Sequence, residues 1–218
     1  MEIKGVIFDM DGLILDTEKL YQKFWREAAE ICGFKMSREQ ALQLRSLDKN
    51  LAKKLLKNFF GAECDYQKLH DVRVKLMADY IAENGVQAKP GVRELVDYLN
   101  EKKYKIAIAT ATNYERANEH LTLAGVRDCF ENIICASNVK HGKPSPDIYL
   151  YACEMLGFKP QNCVALEDSP NGIRAAYSAG CVPILVPDDE YPDDKLISIS
   201  FAVADSLLYI PKILEKIH

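Results

Sequence analysis

Four short segments carry residue types that handle charged oxygen. Asp9-Met10-Asp11-Gly12 follows an apolar run that ends at Phe8, and Thr110-Ala111-Thr112-Asn113 follows a second such run. Lys143-Pro144 lies in a loop after a third, and Glu167-Asp168-Ser169-Pro170 follows a fourth. Asp9 and Asp11 stand two positions apart, so continued strand alternation would point both carboxylates the same way. Carboxylates forced together repel or share a proton unless a cation lies between them. Asp168 and Glu167 add negative charge from a second segment. Hard oxygen donors without soft ones describe a magnesium site completed by water. Asp9, Asp11, Glu167 and Asp168 are therefore the candidate metal ligands.

Carboxylates, Mg²⁺, a lysine and a hydroxyl together suit phosphate chemistry. A carboxylate approaching a phosphate dianion is opposed by roughly 4 kcal/mol per unit pair at 4 Å and an effective dielectric of 20. Mg²⁺ and Lys143 cancel that repulsion and stabilise the equatorial oxygens in the transition state. Thr110 and the amides of Ala111 and Thr112, just before a helix, are candidates to hold a non-bridging oxygen. Asp9 is the candidate nucleophile, because carboxylates form aspartyl-phosphates. Asp11 is the candidate acid and base, protonating the leaving alcohol and then activating water.

These segments must be brought to one place by the fold. Short apolar strands at about 3–8, 105–110, 132–135, 163–166 and 183–186 alternate with helical patterns. That alternation predicts a parallel sheet with helices on both faces, and ligands bind such sheets at the carboxyl ends of the strands. Between the first strand and Pro90, apolar residues recur only with helical spacing, as in Leu20, Phe24, Ala28 and Ile31. The expected organisation is an α/β core of residues 1–15 and 88–218, with residues 16–87 inserted as a helical cap over the site. A closing helix is expected from about Ser206 to Lys216.

Composition narrows the function classes. The chain has 218 residues, 48% of them apolar, which suits one globular domain with an insertion. The net charge of −4 asks for neither nucleic acid nor an anionic membrane. No apolar run approaches a membrane span, and the N-terminus lacks a signal-peptide pattern. Seven scattered cysteines without a C-x-x-C pair read as small buried hydrophobes, not as a disulfide framework or a zinc site. The expected protein is a cytoplasmic monomer that acts on a small-molecule phosphate ester, with no nucleic-acid or membrane partner.

Asp9-Met10-Asp11-Gly12-Leu13-Ile14-Leu15-Asp16-Thr17 resembles the first signature of the haloacid dehalogenase superfamily, D-x-D-G-x-x-x-D-T. Thr110, Lys143-Pro144 and Glu167-Asp168 match the remaining signatures in order, and the likeness spans essentially the whole chain. The resemblance implies a Rossmann-like core with a helical cap inserted after the first motif. It also implies Mg²⁺-dependent phosphoryl transfer through an aspartyl-phosphate on Asp9. Metal contacts would come from Asp9, the backbone carbonyl of Asp11 and Asp168, with Glu167 supporting the metal or its water. Within the superfamily, the chain resembles the group of β-phosphoglucomutases, sugar-phosphate phosphatases and pseudouridine 5′-phosphatases, and the runs 7–21, 141–147 and 167–175 look most like the last of these.

Two departures separate the chain from the mutases of that group. Tyr21 stands where mutases carry a histidine shortly after the D-T pair, and Leu44-Arg45-Ser46-Leu47-Asp48 replaces their Gly-x-Ser-Arg-like loop. Both favour hydrolysis, so the expected activity is that of a phosphatase of a small sugar phosphate or nucleotide-like monophosphate. A β-phosphoglucomutase-like mutase is the alternative. A phospho-accepting receiver is disfavoured by its shorter length and its lack of a D-x-D pair on the first strand. Leu13, Tyr21 and Arg45 are the candidate contacts to the leaving group. The remaining features read as structural. Asp16 or Thr17 would cap a helix, Ser145-Pro146 and Ser169-Pro170 would each be a cap followed by proline, and Gly12 would serve a turn. Trp25 would be core, and Arg45, Lys49, Arg73 and Lys75 of the cap would be solvated surface charges, the alternative being that they face an anionic substrate.

Overall fold

The computed structural model describes residues 2–188 and 192–217. Strands β1 (Gly5–Phe8), β2 (Lys105–Thr110), β3 (Ile133–Cys135), β4 (Cys163–Glu167), β5 (Val182–Leu185) and β6 (Ala202–Val203) form one parallel sheet in the order β3-β2-β1-β4-β5-β6. The expected α/β class with a Rossmann-like parallel sheet is what the chain adopts. β1 and β4 are buried at every position, as strands covered on both faces must be.

Alternate residues of these strands feed two separate apolar layers. Val6, Phe8, Ile108, Val164 and Leu166 join one layer with α5 (Val92–Glu101). Ile7, Ala107, Ala109 and Ala165 join the other, under α7 (Asp147–Leu156) and α8 (Pro170–Ala179). The helix-facing residues keep helical spacing: Val92, Leu95, Val96 and Leu99 are the buried positions of α5. The small Ala107, Ala109 and Ala165 let α7 approach the sheet closely, with Tyr149 fully buried in that layer.

Between β1 and α5 lie only helices among the described residues: α1 (Glu18–Ile31), α2 (Arg38–Leu42), α3 (Lys49–Phe60) and α4 (Tyr66–Asn84). They carry a hydrophobic cluster of their own, with Trp25, Ala28, Leu56 and Leu69 at its centre. Phe24, Met77 and Ile81 of α1 and α4 instead join the core layer beneath.

α6 (Tyr114–Leu123) follows β2 and buries Ala117 and Leu121 in the same layer as α5. The far end of the sheet differs from the sequence expectation. A short helix α9 (Asp194–Ile199) precedes β6, and neither element was expected. β6 has only two residues, both half-buried, too short to show a period. The expected closing helix is a 3₁₀ turn, Leu207–Tyr209, followed by the short α10 (Ile210–Leu214). No helix among the described residues is long and apolar enough to cross a membrane.

Candidate active site

The sheet order places β1 between β2 and β4, with Phe8 in register with both Ile108 and Leu166. The residues following these strands therefore meet at one edge. Asp9 is fixed there by its amide, which donates to the Leu166 carbonyl at 2.9 Å. Lys143 arrives from the loop after β3 and is 2% exposed. Its Nζ donates to Asp9 Oδ1 at 2.5 Å, to Glu167 Oε1 at 2.6 Å and to the Ala109 carbonyl at 3.1 Å. Burial opposes the ammonium charge, but Asp9 and Glu167 outweigh it and hold Lys143 above its ordinary range.

Asp9, Glu167 and Asp168 each bring a carboxylate oxygen within 4.8 Å of the others, and all three are buried. Burial raises the Asp9 pKa well above the ordinary range; Lys143 pulls it down, and Glu167 and Asp168 push it up again. Asp168 is pushed up to about 6, by burial first, with Arg45 opposing and Glu167 adding. Such crowding disfavours ionisation of Asp9 and Asp168 and favours a cation beside them. Two oxygens of this group, Asp9 Oδ2 and Asp168 Oδ1, are buried without a hydrogen-bond partner. A hard cation fits there.

Glu167 is different. Its Oε1 accepts from Lys143 and from the Tyr149 hydroxyl, and its Oε2 accepts from the amide and hydroxyl of Ser169. It is fully partnered, which suits orienting Lys143 better than direct ligation. Two glycines keep these carboxyls in place. A Cβ on Gly12, whose φ is +88°, would lie 2.2 Å from Asp168 Oδ2, and one on Gly172 would lie 1.9 Å from the Glu167 carboxyl. Gly12 thus serves both the expected turn and a close approach.

Asp11 corrects the alternation argument. β1 ends at Phe8, and the Asp11 side chain stands outside the carboxylate trio. Its Oδ1 accepts from Thr17 Oγ1 at 2.9 Å and its Oδ2 from Thr112 Oγ1 at 2.8 Å. Thr17 occupies the cap position of α1 but makes no capping bond with its side chain; its hydroxyl serves Asp11 instead. Thr110 is buried and its hydroxyl accepts from the Thr112 amide at 3.0 Å, so that amide is already engaged, contrary to the role expected of it. Ala111 lines the cavity as expected.

A cavity of about 450 Å³ opens above these groups, between the core and the inserted helices. Its walls include Asp9, Asp11, Lys143, Tyr21, Arg45, Trp25 and Arg73. Leu13 does not line it; the side chain is 1% exposed and belongs to the core, so the expected substrate contact is not there. Tyr21 lies beside Asp11's partner, its hydroxyl 3.2 Å from Thr112 Oγ1. Arg45 is no solvated surface charge. Its Nη2 donates to Asp168 Oδ2 at 2.5 Å, and its Nε lies 3.1 Å from Glu18 Oε1, paired by charge without hydrogen-bond alignment. Arg73 is also buried, against expectation, whereas Lys49 and Lys75 are exposed as expected. Trp25 is both core and cavity wall.

Further bonds tie the inserted segment to this edge of the sheet. The Asp48 amide donates to the Lys143 carbonyl at 2.8 Å, and Asp48 Oδ2 accepts from the Gly142 amide at 3.1 Å. Asn171 Nδ2 donates to the Arg45 carbonyl at 2.8 Å. Sequence reasoning missed Asp48, Glu18 and Tyr149. Glu18 follows the D-T pair and reads as a solvated first-turn acid, yet it is 4% exposed and pushed up to about 8, by burial first, with Arg45 opposing. Tyr149 carried a faint signal, since helical spacing from Cys153 and Leu156 turns it toward the sheet. Ser169 caps α8 with Pro170 behind it, as expected, whereas α7 has Pro146 itself at the cap position and Ser145 donates to Asp147. The seven cysteines are free, and five are buried.

Comparison with known proteins agrees with this geometry. The model of the haloacid dehalogenase-like hydrolases matches residues 3–180. The phosphorylated carbohydrates phosphatase of Thermotoga maritima is 31% identical over 206 residues, covering 93% of each chain. The "Probable pseudouridine-5'-phosphatase" of Drosophila melanogaster is 30% identical over 203 residues, covering 89% of this chain and 86% of its own. The solved β-phosphoglucomutase of Clostridium difficile shares the fold, with a TM-score of 0.81 over 98% of both chains at 24% identity. The chain belongs to the haloacid dehalogenase-like hydrolases.

Proposed function

We propose that this chain is a Mg²⁺-dependent phosphatase of small sugar phosphates or nucleotide-like monophosphates that works through an aspartyl-phosphate on Asp9. That it is a phosphoric monoester hydrolase follows from its family and its phosphatase relatives. The observation that carries the finer reading is the pair of buried, partnerless oxygens, Asp9 Oδ2 and Asp168 Oδ1, beside a lysine already held on Asp9. Asp9 and Asp168 would hold the metal, with Glu167 setting Lys143 in place. When bound, Mg²⁺ supplies positive charge against the repulsion between carboxylate and phosphate.

The Asp9 carboxylate attacks phosphorus while the bond to the leaving oxygen breaks. Asp11, held by Thr17 and Thr112, gives that oxygen its proton. Water then attacks the phosphoenzyme, Asp11 takes its proton, and the bond between Asp9 and phosphorus breaks. Lys143 faces the charge on the transferring group throughout. Residues 16–87 act as a cap that closes over the substrate and reopens for release. The same reading makes the protein a cytoplasmic monomer whose partner is a small-molecule phosphate ester.

The test is phosphate release across sugar phosphates, nucleoside monophosphates and pseudouridine 5′-phosphate, with Mg²⁺ and with chelator, using Asp9→Asn as the blank. Release that needs both Mg²⁺ and Asp9 is expected. Conversion of β-glucose 1-phosphate to glucose 6-phosphate without release would overturn the phosphatase reading in favour of a mutase.

A further inference from the structure

The wall of the cavity built by α4 holds a buried cation with no carboxylate paired to it among the described residues. Arg73 is 5% exposed, and burial lowers its pKa. Its guanidinium lies 5.1 Å from the Tyr21 ring centre and 5.0 Å from that of Trp25. Its Nε has no hydrogen-bond partner, and no carboxylate among the described residues pairs with it. Arg116, from α6 of the core, lines the same cavity and is likewise unpaired among the described residues. Two aromatic faces orient a guanidinium but do not replace a counter-ion, and an unpaired buried charge is expensive. The expense is offset when an oxyanion arrives that can take the guanidinium fork.

The position of Arg73 defines what that oxyanion belongs to. Tyr21 bridges the two ends of the site: its hydroxyl meets Thr112, which holds Asp11, and its ring lies against Arg73. Arg73 therefore lies across the Tyr21 ring from the threonine that holds Asp11, on the same cavity, where the leaving group of an ester protonated by Asp11 would extend. A cavity of about 450 Å³ leaves room for a small metabolite there.

We propose that Arg73 is a specificity determinant for a second oxyanion, a carboxylate or a further phosphate, carried by the leaving group of the substrate. This rests on the phosphatase reading for the name of the reaction but not for the binding preference. It narrows the substrate class to small phosphate esters with two anionic ends.

Binding is measured on the Asp9→Asn chain, which leaves the ester intact, with Mg²⁺ present. The probes are glucose 6-phosphate, 6-phosphogluconate and fructose 1,6-bisphosphate. Calorimetry gives the affinities, and Trp25, the one tryptophan of the chain, reports occupancy of the Arg73 side by fluorescence. At least one of the two doubly anionic esters is expected to bind at least tenfold tighter than glucose 6-phosphate. Which of them does so separates the carboxylate from the phosphate. Arg73→Gln is expected to bring that ratio close to one, as is Arg73→Met, which refills the slot between the rings without charge and serves if the glutamine variant does not fold. Equal affinity for all three probes in the Arg73 chain, or a preference that survives either folded variant, would overturn the proposal. The same esters given to the chain with Asp9 intact separate the two readings. Preference without phosphate release sinks the phosphatase and keeps the subsite, whereas release without preference does the reverse.

Discussion

The two sides of the cavity are built on opposite electrostatic plans. On the floor, each buried cation has carboxyl partners: Lys143 lies between Asp9 and Glu167, and Arg45 lies between Asp168 and Glu18. On the wall, Arg73 has two rings and no anion among the described residues. The floor is preorganised by its own charges, so its geometry stands before any ligand arrives. The wall is incomplete in its charges and depends on what enters. The chemistry common to a family can be fixed in the first way, and the choice of substrate in the second.

The comparison can be broken most sharply at the floor. Asp9→Asn keeps the shape of the site and is expected to lower phosphate release by about four to six orders of magnitude, as loss of a nucleophile that acts with its neighbours does. Circular dichroism should be unchanged, and near-normal release would remove Asp9 as nucleophile. Asp11→Asn should cost about 10²–10⁴ in turnover, with phosphoenzyme accumulating if its second role, activating water, is the slower. Full activity in that variant would move the acid–base role elsewhere.

The packing beneath the floor is tested by Gly172→Ala. A Cβ there meets the Glu167 carboxyl at 1.9 Å, so the variant should lose about 1–3 kcal/mol of stability and displace Lys143. An unchanged melting temperature would show that Glu167 is free to shift. The smallest effect concerns Glu18. Its pKa is raised from 4.5 to about 8, so the folded chain binds a proton that the unfolded chain has released. Stability from this group therefore declines as pH rises from about 4.5 through about 8. The melting temperature of the parent chain should fall relative to that of Glu18→Gln across this window. A difference that stays flat with pH would mean that Arg45 keeps Glu18 ionised.

Legibility in the sequence followed the same division. The strand ends could be read because their neighbours repeat a local pattern: apolar runs that stop at Asp9, Thr110 and Glu167, each followed by polar residues and then a helix. The inserted helical segment had no such pattern. Arg45 and Arg73 read as surface charges because arginines on helices are usually exposed, and only packing of the inserted helices against the core buries them. Leu13 erred in the other direction, since proximity to Asp11 in sequence did not put its side chain in the cavity.

The sequence by itself determined the parallel sheet, the strand ends that carry Asp9, Thr110, Lys143 and Asp168, and the type of chemistry that such residues perform together. Periodicity and residue type are local, and so they survive in one dimension. Only the tertiary structure decided that Asp11 turns from the carboxylate trio to Thr17 and Thr112, that Glu167 is spent on Lys143 and Tyr149, and that Arg45 reaches across 123 positions to Asp168 while Arg73 has no carboxylate paired with it among the described residues. Those outcomes depend on which side chains are buried together, because burial sets whether a charge must find a partner, and burial is a property of the packed chain.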